Sequence, residues 1–185
     1  ICRNQCKSET MTDLKTTKLS EILKAVLFSA LLFWASAGKG QEWYVKPKGV
    51  DTQWISFENP TGEKGAGARE NNGAKGHAFD SIAAGETVTL LNVAGAGIIK
   101  RMWMTISNRN PEMLRSLRLD MYWDGTDKPA VSVPFGDFFG IGLGKKTAFE
   151  TDLFSDPEGR SFNCFVPMPF KNGAKITLTT ESAKE

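Results

Sequence analysis

The sequence predicts an all-β domain, an antiparallel jelly-roll or β-sandwich, preceded by a short signal-peptide helix. Three observations carry the prediction. Short strand-like segments recur from Gly85 onward with glycine turns between them, the rhythm of a sandwich. Leu117, Leu119, Met121 and Trp123 alternate with Ser116, Arg118, Asp120 and Tyr122, the period of two that a half-buried strand requires. The front of the chain holds the one convincing helix, an apolar run that nothing polar interrupts at helical spacing.

That run, Ala25 to Trp34, follows Lys15, Lys18 and Lys24 and precedes Ala35-Ser36-Ala37. A basic segment, a short apolar segment and a small-residue site in this order make up a secretory signal peptide. About 10 residues fall short of the roughly 20 that span a bilayer. Residues 11–41 are therefore read as the signal peptide, with cleavage after Ala37 or near Gln41, and the protein as exported to the periplasm or beyond. The chain opens on Ile1 rather than methionine, so residues 1–10 read as upstream read-through, with Met11 as the start. Cys2 and Cys6 then leave with the leader, and Cys164, between Phe162 and Phe165, is expected to be a buried thiol.

Residues 42–84 are rich in glycine and charge and show no period, so they are read as an ordered loop or arm. The β domain is read over 85–185. Thr87, Thr89 and Leu91 alternate with Val88 and Leu90, and Gly95-Ala96-Gly97 marks a turn. Ile98–Ile106 follows as a second strand, with Ile98, Met102, Met104 and Ile106 on one face and Lys100 breaking it. A helical turn is expected at Asn110–Leu114. Asp124-Gly125 ends the Leu117–Trp123 strand as a turn, and Ala130–Val133 returns as its hairpin partner until Pro134, which lacks a donor, stops the pairing. Further strands are placed around Ala148–Leu153, Phe162–Val166 and Ala174–Thr180. The chain stops straight after that strand, at Ser182-Ala183-Lys184-Glu185, which reads as a C-terminal truncation.

Composition narrows the function. Hydrophobic residues make up 41% and charged residues 24%, ordinary for a chain that buries a core. Removing the six basic and three acidic residues of the leader from the totals of 23 and 21 leaves a net charge of −1. No basic patch then remains for nucleic acid. Gly140-Ile-Gly142-Leu-Gly144-Lys145-Lys146-Thr147 imitates a phosphate loop, but Phe139 stands where the first glycine belongs and β-like sequence follows instead of a helix. Gly73-Ala74-Lys75 fails similarly. His77, the single histidine, cannot build a histidine metal set or a convincing triad, so neither metal nor cofactor is expected.

Among the carboxylates Asp137 stands out, in Val133-Pro134-Phe135-Gly136-Asp137-Phe138-Phe139-Gly140. Aromatic walls beside a fixed carboxylate suit a sugar cleft, because rings stack on C–H faces and the acid accepts hydroxyl protons. The same residues also suit a loop capped by its own aspartate over a hydrophobic plug.

Four stretches together resemble domain of unknown function family 2961, whose members are classed in glycoside hydrolase family 172. They are Ser56-Phe57-Glu58-Asn59-Pro60-Thr61-Gly62-Glu63-Lys64-Gly65, Met121-Tyr122-Trp123-Asp124-Gly125, Val133 to Gly140, and Val166-Pro167-Met168-Pro169-Phe170. The similarity runs roughly from Trp54 to Thr180. It implies tandem jelly-roll-like domains, of which this is the first, assembled into a trimer or hexamer. It implies exo-acting, retaining hydrolysis of furanosides, fructofuranosides or arabinofuranosides, within an oligo- or polysaccharide substrate. It places the two catalytic carboxylates in the second half, downstream of Glu185, and leaves this part with binding roles. Glu58, Asn59 and Lys64 would line the sugar site, Asp137, Phe138 and Phe139 would form its floor, and Trp123 and Met168 would fill core or interface. The competing expectations are a non-catalytic carbohydrate-binding module and a purely structural jelly roll.

Overall fold

The computed structural model describes residues 21–29 and 44–181 and falls into two units, 1–50 and 51–185. In the first, α1 (residues 21–29) is helical and exposed, with Lys24 paired to Glu21 at 2.8 Å. The remainder of the leader, including its small-residue site, lies outside the described residues. No described helix is long and apolar enough to cross a membrane.

The second unit is antiparallel throughout. Its elements run β1 (Thr87–Ala94), β2 (Gly97–Ile99), β3 (Met102–Met104), α2 (Pro111–Ser116), β4 (Leu117–Trp123), β5 (Val131–Pro134) and α3 (Phe135–Phe138). They continue with β6 (Phe149–Glu150), β7 (Phe154–Asp156), β8 (Phe162–Cys164), β9 (Met168–Phe170) and β10 (Gly173–Thr180). Two four-stranded sheets form, β1-β10-β4-β5 and β3-β8-β7-β6, with β2 and β9 as a two-stranded ribbon. Leu117, Leu119, Met121, Ile176 and Leu178 from the first sheet share one core with Phe162 and Cys164 from the second, so the architecture is an all-β sandwich.

The alternation at Leu117–Trp123 is realised as β4, whose Leu119 and Met121 are fully buried. Its hairpin partner β5 pairs Val133 with Leu119 and Val131 with Met121; Pro134 still lies opposite Arg118 as the last paired residue. Asp124 (φ 57°) and Gly125 (φ 80°) make the turn in the left-handed region that both residue types tolerate. The Asp124 carboxylate also accepts from the Lys171 and Asn172 amides at 2.8 and 2.6 Å, tying this turn to the one before β10. The helical turn expected at 110–114 is α2: Asn110 caps it by accepting from the Met113 amide at 2.7 Å, and Pro111 follows at the first position.

Three expectations need correction. The strand expected over Ile98–Ile106 divides at Lys100-Arg101: β2 pairs with β9 and β3 with β8, so the chain passes from the ribbon into the second sheet. Ile98 is consequently exposed, and Ile99 packs on the core in its place. In β1 the register shifts between Thr89 and Leu91, so Leu90 and Leu91 both turn toward the core and strict alternation ends there. The strand around 148–153 is really a hairpin, β6 and β7, turned by Thr151, whose hydroxyl accepts from Phe154 N at 3.0 Å and donates to Phe154 O at 2.7 Å.

Asp120, expected on the wet face, does meet Arg118 at 3.0 Å but is only 4% exposed, flanked in register by Thr177 and Ser132. Its carboxylate holds the Arg118 guanidinium protonated beyond its ordinary range.

Candidate functional site

The glycine-rich segment before β1 is shaped by its own polar side chains. Ser56 and Asn59 bond each other's backbone, and the Asn59 amide group spans the turn, donating to Glu63 O at 3.0 Å and accepting from Glu63 N at 3.1 Å. Glu58 reaches across the loop: its Oε1 accepts from Ala68 N at 2.6 Å and Gly76 N at 3.4 Å. Ala68 needs such an anchor, because its φ of 59° is unfavourable for a residue with a Cβ. Glu58 and Asn59 thus spend much of their hydrogen-bonding capacity on the loop itself. Lys64 is exposed beside them.

Asp137 sits in α3, a helical turn where the sequence reads as loop. Pro134 leads into it, and Ile141 N returns to Gly136 O at 2.7 Å to close the turn behind it. Phe135 and Phe139 point inward and meet Phe162 with ring centroids 4.9 and 5.7 Å away. Phe135 and Phe139 are packed into the core, while Asp137 turns to Arg115 and does not cap the loop. Phe139, expected at the floor of a sugar site, is 1% exposed, so its faces are already spent on Phe135, Phe138 and Phe162. Phe138 is half-buried against Phe139 and Phe154. The Asp137 carboxylate pairs through Oδ2 with Arg115, which also donates to Gly142 O at 3.3 Å, while Oδ1 is buried without a partner. Asp137, Phe138 and Phe139 therefore form one group and Glu58 and Asn59 another. No hydrogen bond, ion pair or ring contact joins the two groups among the described residues.

A further polar and aromatic face lies on the second sheet. Register places Trp103, Asn163, Ser155 and Glu150 in one row across β3, β8, β7 and β6, on the side away from the core. Trp103 is 43% exposed, and its indole N–H donates to Ser161 Oγ at 2.8 Å. Asn163 accepts from Arg101 Nη2 at 2.9 Å and donates to Ser161 O at 2.8 Å; the Arg101 guanidinium lies 5.3 Å above the Phe165 ring. Next to Trp103 opens a cavity of about 390 Å³ lined by Trp103, Thr105, Arg109, Glu158, Arg160 and Ser161. Arg160 pairs with Glu158 at 3.0 Å, and Arg109 donates to Ile106 O. No motif in the sequence singles out these residues as a group. The legible signal was Trp103 itself, an aromatic on the face opposite Met102 and Met104.

Residues 75–185 match the GH172 domain-like family. The chain belongs to that family. No curated protein matches the chain. The GH172 domain-like span takes in both sheets, the α3 plug and the Trp103 face, and three of the four stretches that carried the resemblance. The fourth, Ser56–Gly65, precedes the matched span. Membership ties the chain to glycoside hydrolase-related domains, and the carboxylates best held by the fold are each engaged in it: Glu58 with loop amides, Asp120 with Arg118, Asp124 with the 171–172 turn, Asp137 with Arg115 and Asp156 with Ser161 N at 2.9 Å. Cys164 is buried and its thiol pKa is raised by desolvation, the opposite of an activated nucleophile.

Proposed function

We propose that this chain is the saccharide-contacting β domain of an exported, oligomeric glycoside hydrolase that acts on fructofuranosides or arabinofuranosides. Membership of the GH172 domain-like family over residues 75–185 is the observation that carries this reading. In a retaining hydrolase one carboxylate attacks the anomeric carbon and a second, about 5–5.5 Å away, protonates the leaving oxygen and then activates water. The engagement of Glu58, Asp120, Asp124, Asp137 and Asp156 in holding the fold supports a catalytic pair supplied by other residues of the full protein. This chain then contributes scaffold and binding surface.

The exposed Trp103 on a polar sheet face favours a second reading, a module that holds glycan without turning it over. Nitrophenyl α-arabinofuranoside and nitrophenyl fructofuranoside, offered to the 185-residue chain and to the full gene product, separate the two. Release of nitrophenol by the full product alone, with retained anomeric configuration in NMR, is the expected result. Turnover by the 185-residue chain would overturn the placement of the catalytic pair, and binding without turnover by the full product would establish the module.

A further inference from the structure

We propose that the cavity beside Trp103 is a carbohydrate subsite that takes one neutral sugar ring on the open face of the indole; the proposal rests on the reading that this protein handles saccharides. A tryptophan 43% exposed on β3, the edge strand of an otherwise polar sheet face, keeps a large apolar surface in water. Here that surface is also held still. The bond from the indole N–H to Ser161 Oγ pins one edge of the ring, and the Met102–Cys164 and Met104–Phe162 pairs before and after it in the β3–β8 ladder fix the backbone that carries it. A pinned ring with a free face is preorganised for stacking, since little side-chain freedom remains to be lost on binding.

The polar lining suits hydroxyls rather than a formal charge. Glu158 and Arg160 balance each other at 3.0 Å and together present an acceptor beside donors, the combination that neighbouring sugar hydroxyls engage. Thr105 and Ser161 add hydroxyls that can donate or accept. Arg109 is half-buried, and its bond to Ile106 O leaves further N–H groups for a ring or hydroxyl oxygen. The volume, about 390 Å³, lies at the lower end of the roughly 300–1,000 Å³ of small-ligand sites, which fits a single sugar unit with water rather than a long chain. The face continues past Trp103 through the exposed Arg101 and Phe165, held over the buried Asn163, so a neighbouring unit of an oligosaccharide has polar and aromatic surface to follow.

Isothermal titration of the 185-residue chain with inulin-derived and arabinan-derived oligosaccharides tests the proposal. The expected result is saturable binding that Trp103→Ala weakens by about tenfold or more and Trp103→Phe, which keeps an aromatic face, by less than about threefold. Arg109→Ala weakens it as well. Thermal unfolding of each variant close to the parent value shows that the loss belongs to the site. Absence of binding by the parent chain, or equal binding by Trp103→Ala, would overturn the subsite. Trp103-dependent binding in a protein whose full-length form releases no sugar would remove the hydrolase reading and leave the subsite standing. Hydrolysis by the full product with no Trp103-dependent binding would do the reverse.

Discussion

Truncating Phe139 to alanine separates a core residue from a binding residue in one measurement. The ring is 1% exposed and meets Phe135 and Phe138 at 4.9 Å and Phe162 at 5.7 Å. Removing it deletes buried apolar surface and opens a cavity that α3 and β8, both held by the sheets around them, can only partly close. Phe-to-Ala changes in such sites cost about 3–5 kcal/mol, and the poor prospect of collapse places this one near 4 kcal/mol. For a domain of this size each kcal/mol lowers the midpoint by about 4 °C, so the thermal transition falls by about 16 °C. Circular dichroism during heating and a urea titration check both figures, the urea midpoint dropping while the slope holds. Phe139→Leu, which keeps most of the volume, costs less than about 1.5 kcal/mol and stays folded if the alanine variant does not. A loss below about 1 kcal/mol for Phe139→Ala, coupled to weaker sugar binding, would refute the plug and restore Phe139 to a cleft.

Three other outcomes follow from the same geometry. Arg118→Met leaves Asp120, whose side chain is 6% exposed, without its cation; because Arg118 is itself 41% exposed and screened, the cost is about 2–3 kcal/mol rather than the full buried-pair value, and a double-mutant cycle with Asp120→Asn recovers part of it. Gly173→Ala drives a Cβ to 2.8 Å from Val93 O in the β1–β10 ladder and costs about 1–3 kcal/mol, whereas Gly67→Ala, with open space around it, stays within about 0.5 kcal/mol in the same urea assay. The Asn172 and Lys171 amides hold the Asp124 carboxyl below its ordinary pKa, so the folded state binds fewer protons than the unfolded one; this contribution is complete above the unfolded value of about 4 and is lost as pH falls through the lowered folded value. Asp124→Asn, which keeps the acceptor and tolerates the left-handed turn, therefore flattens the acid limb of a stability–pH curve below about pH 4, and parallel curves for the two proteins would contradict the linkage.

The candidate site was legible in parts. Asp137 and its phenylalanines announce an unusual loop, but whether they line a cleft or plug a core depends on Phe162, which is far along the chain and adjacent only once β8 is in place. Glu58 and Asn59 announce a polar turn, and only the folded loop shows their oxygens committed to the Ala68, Gly76 and Glu63 amides. The Trp103 cavity takes its other walls from Arg109 and from Glu158, Arg160 and Ser161, which no local pattern links to a tryptophan on β3.

By itself the sequence determined what depends on neighbours within a few residues. The period of two made β4 a strand with Leu117, Leu119 and Met121 toward the core, Asp124-Gly125 turned it, and Asn110-Pro111 started α2, because side-chain alternation, left-handed tolerance and capping are all local properties. The tertiary structure alone decided where Ile98–Ile106 breaks, since β9 and β8 claim its two ends in different sheets, and where β1 shifts register against β10. It also decided which aromatics face water. Burial of Phe139 and exposure of Trp103 are set by what the opposite sheet and distant loops bring against them, and hydrophobicity read along the chain carries no information about that partner.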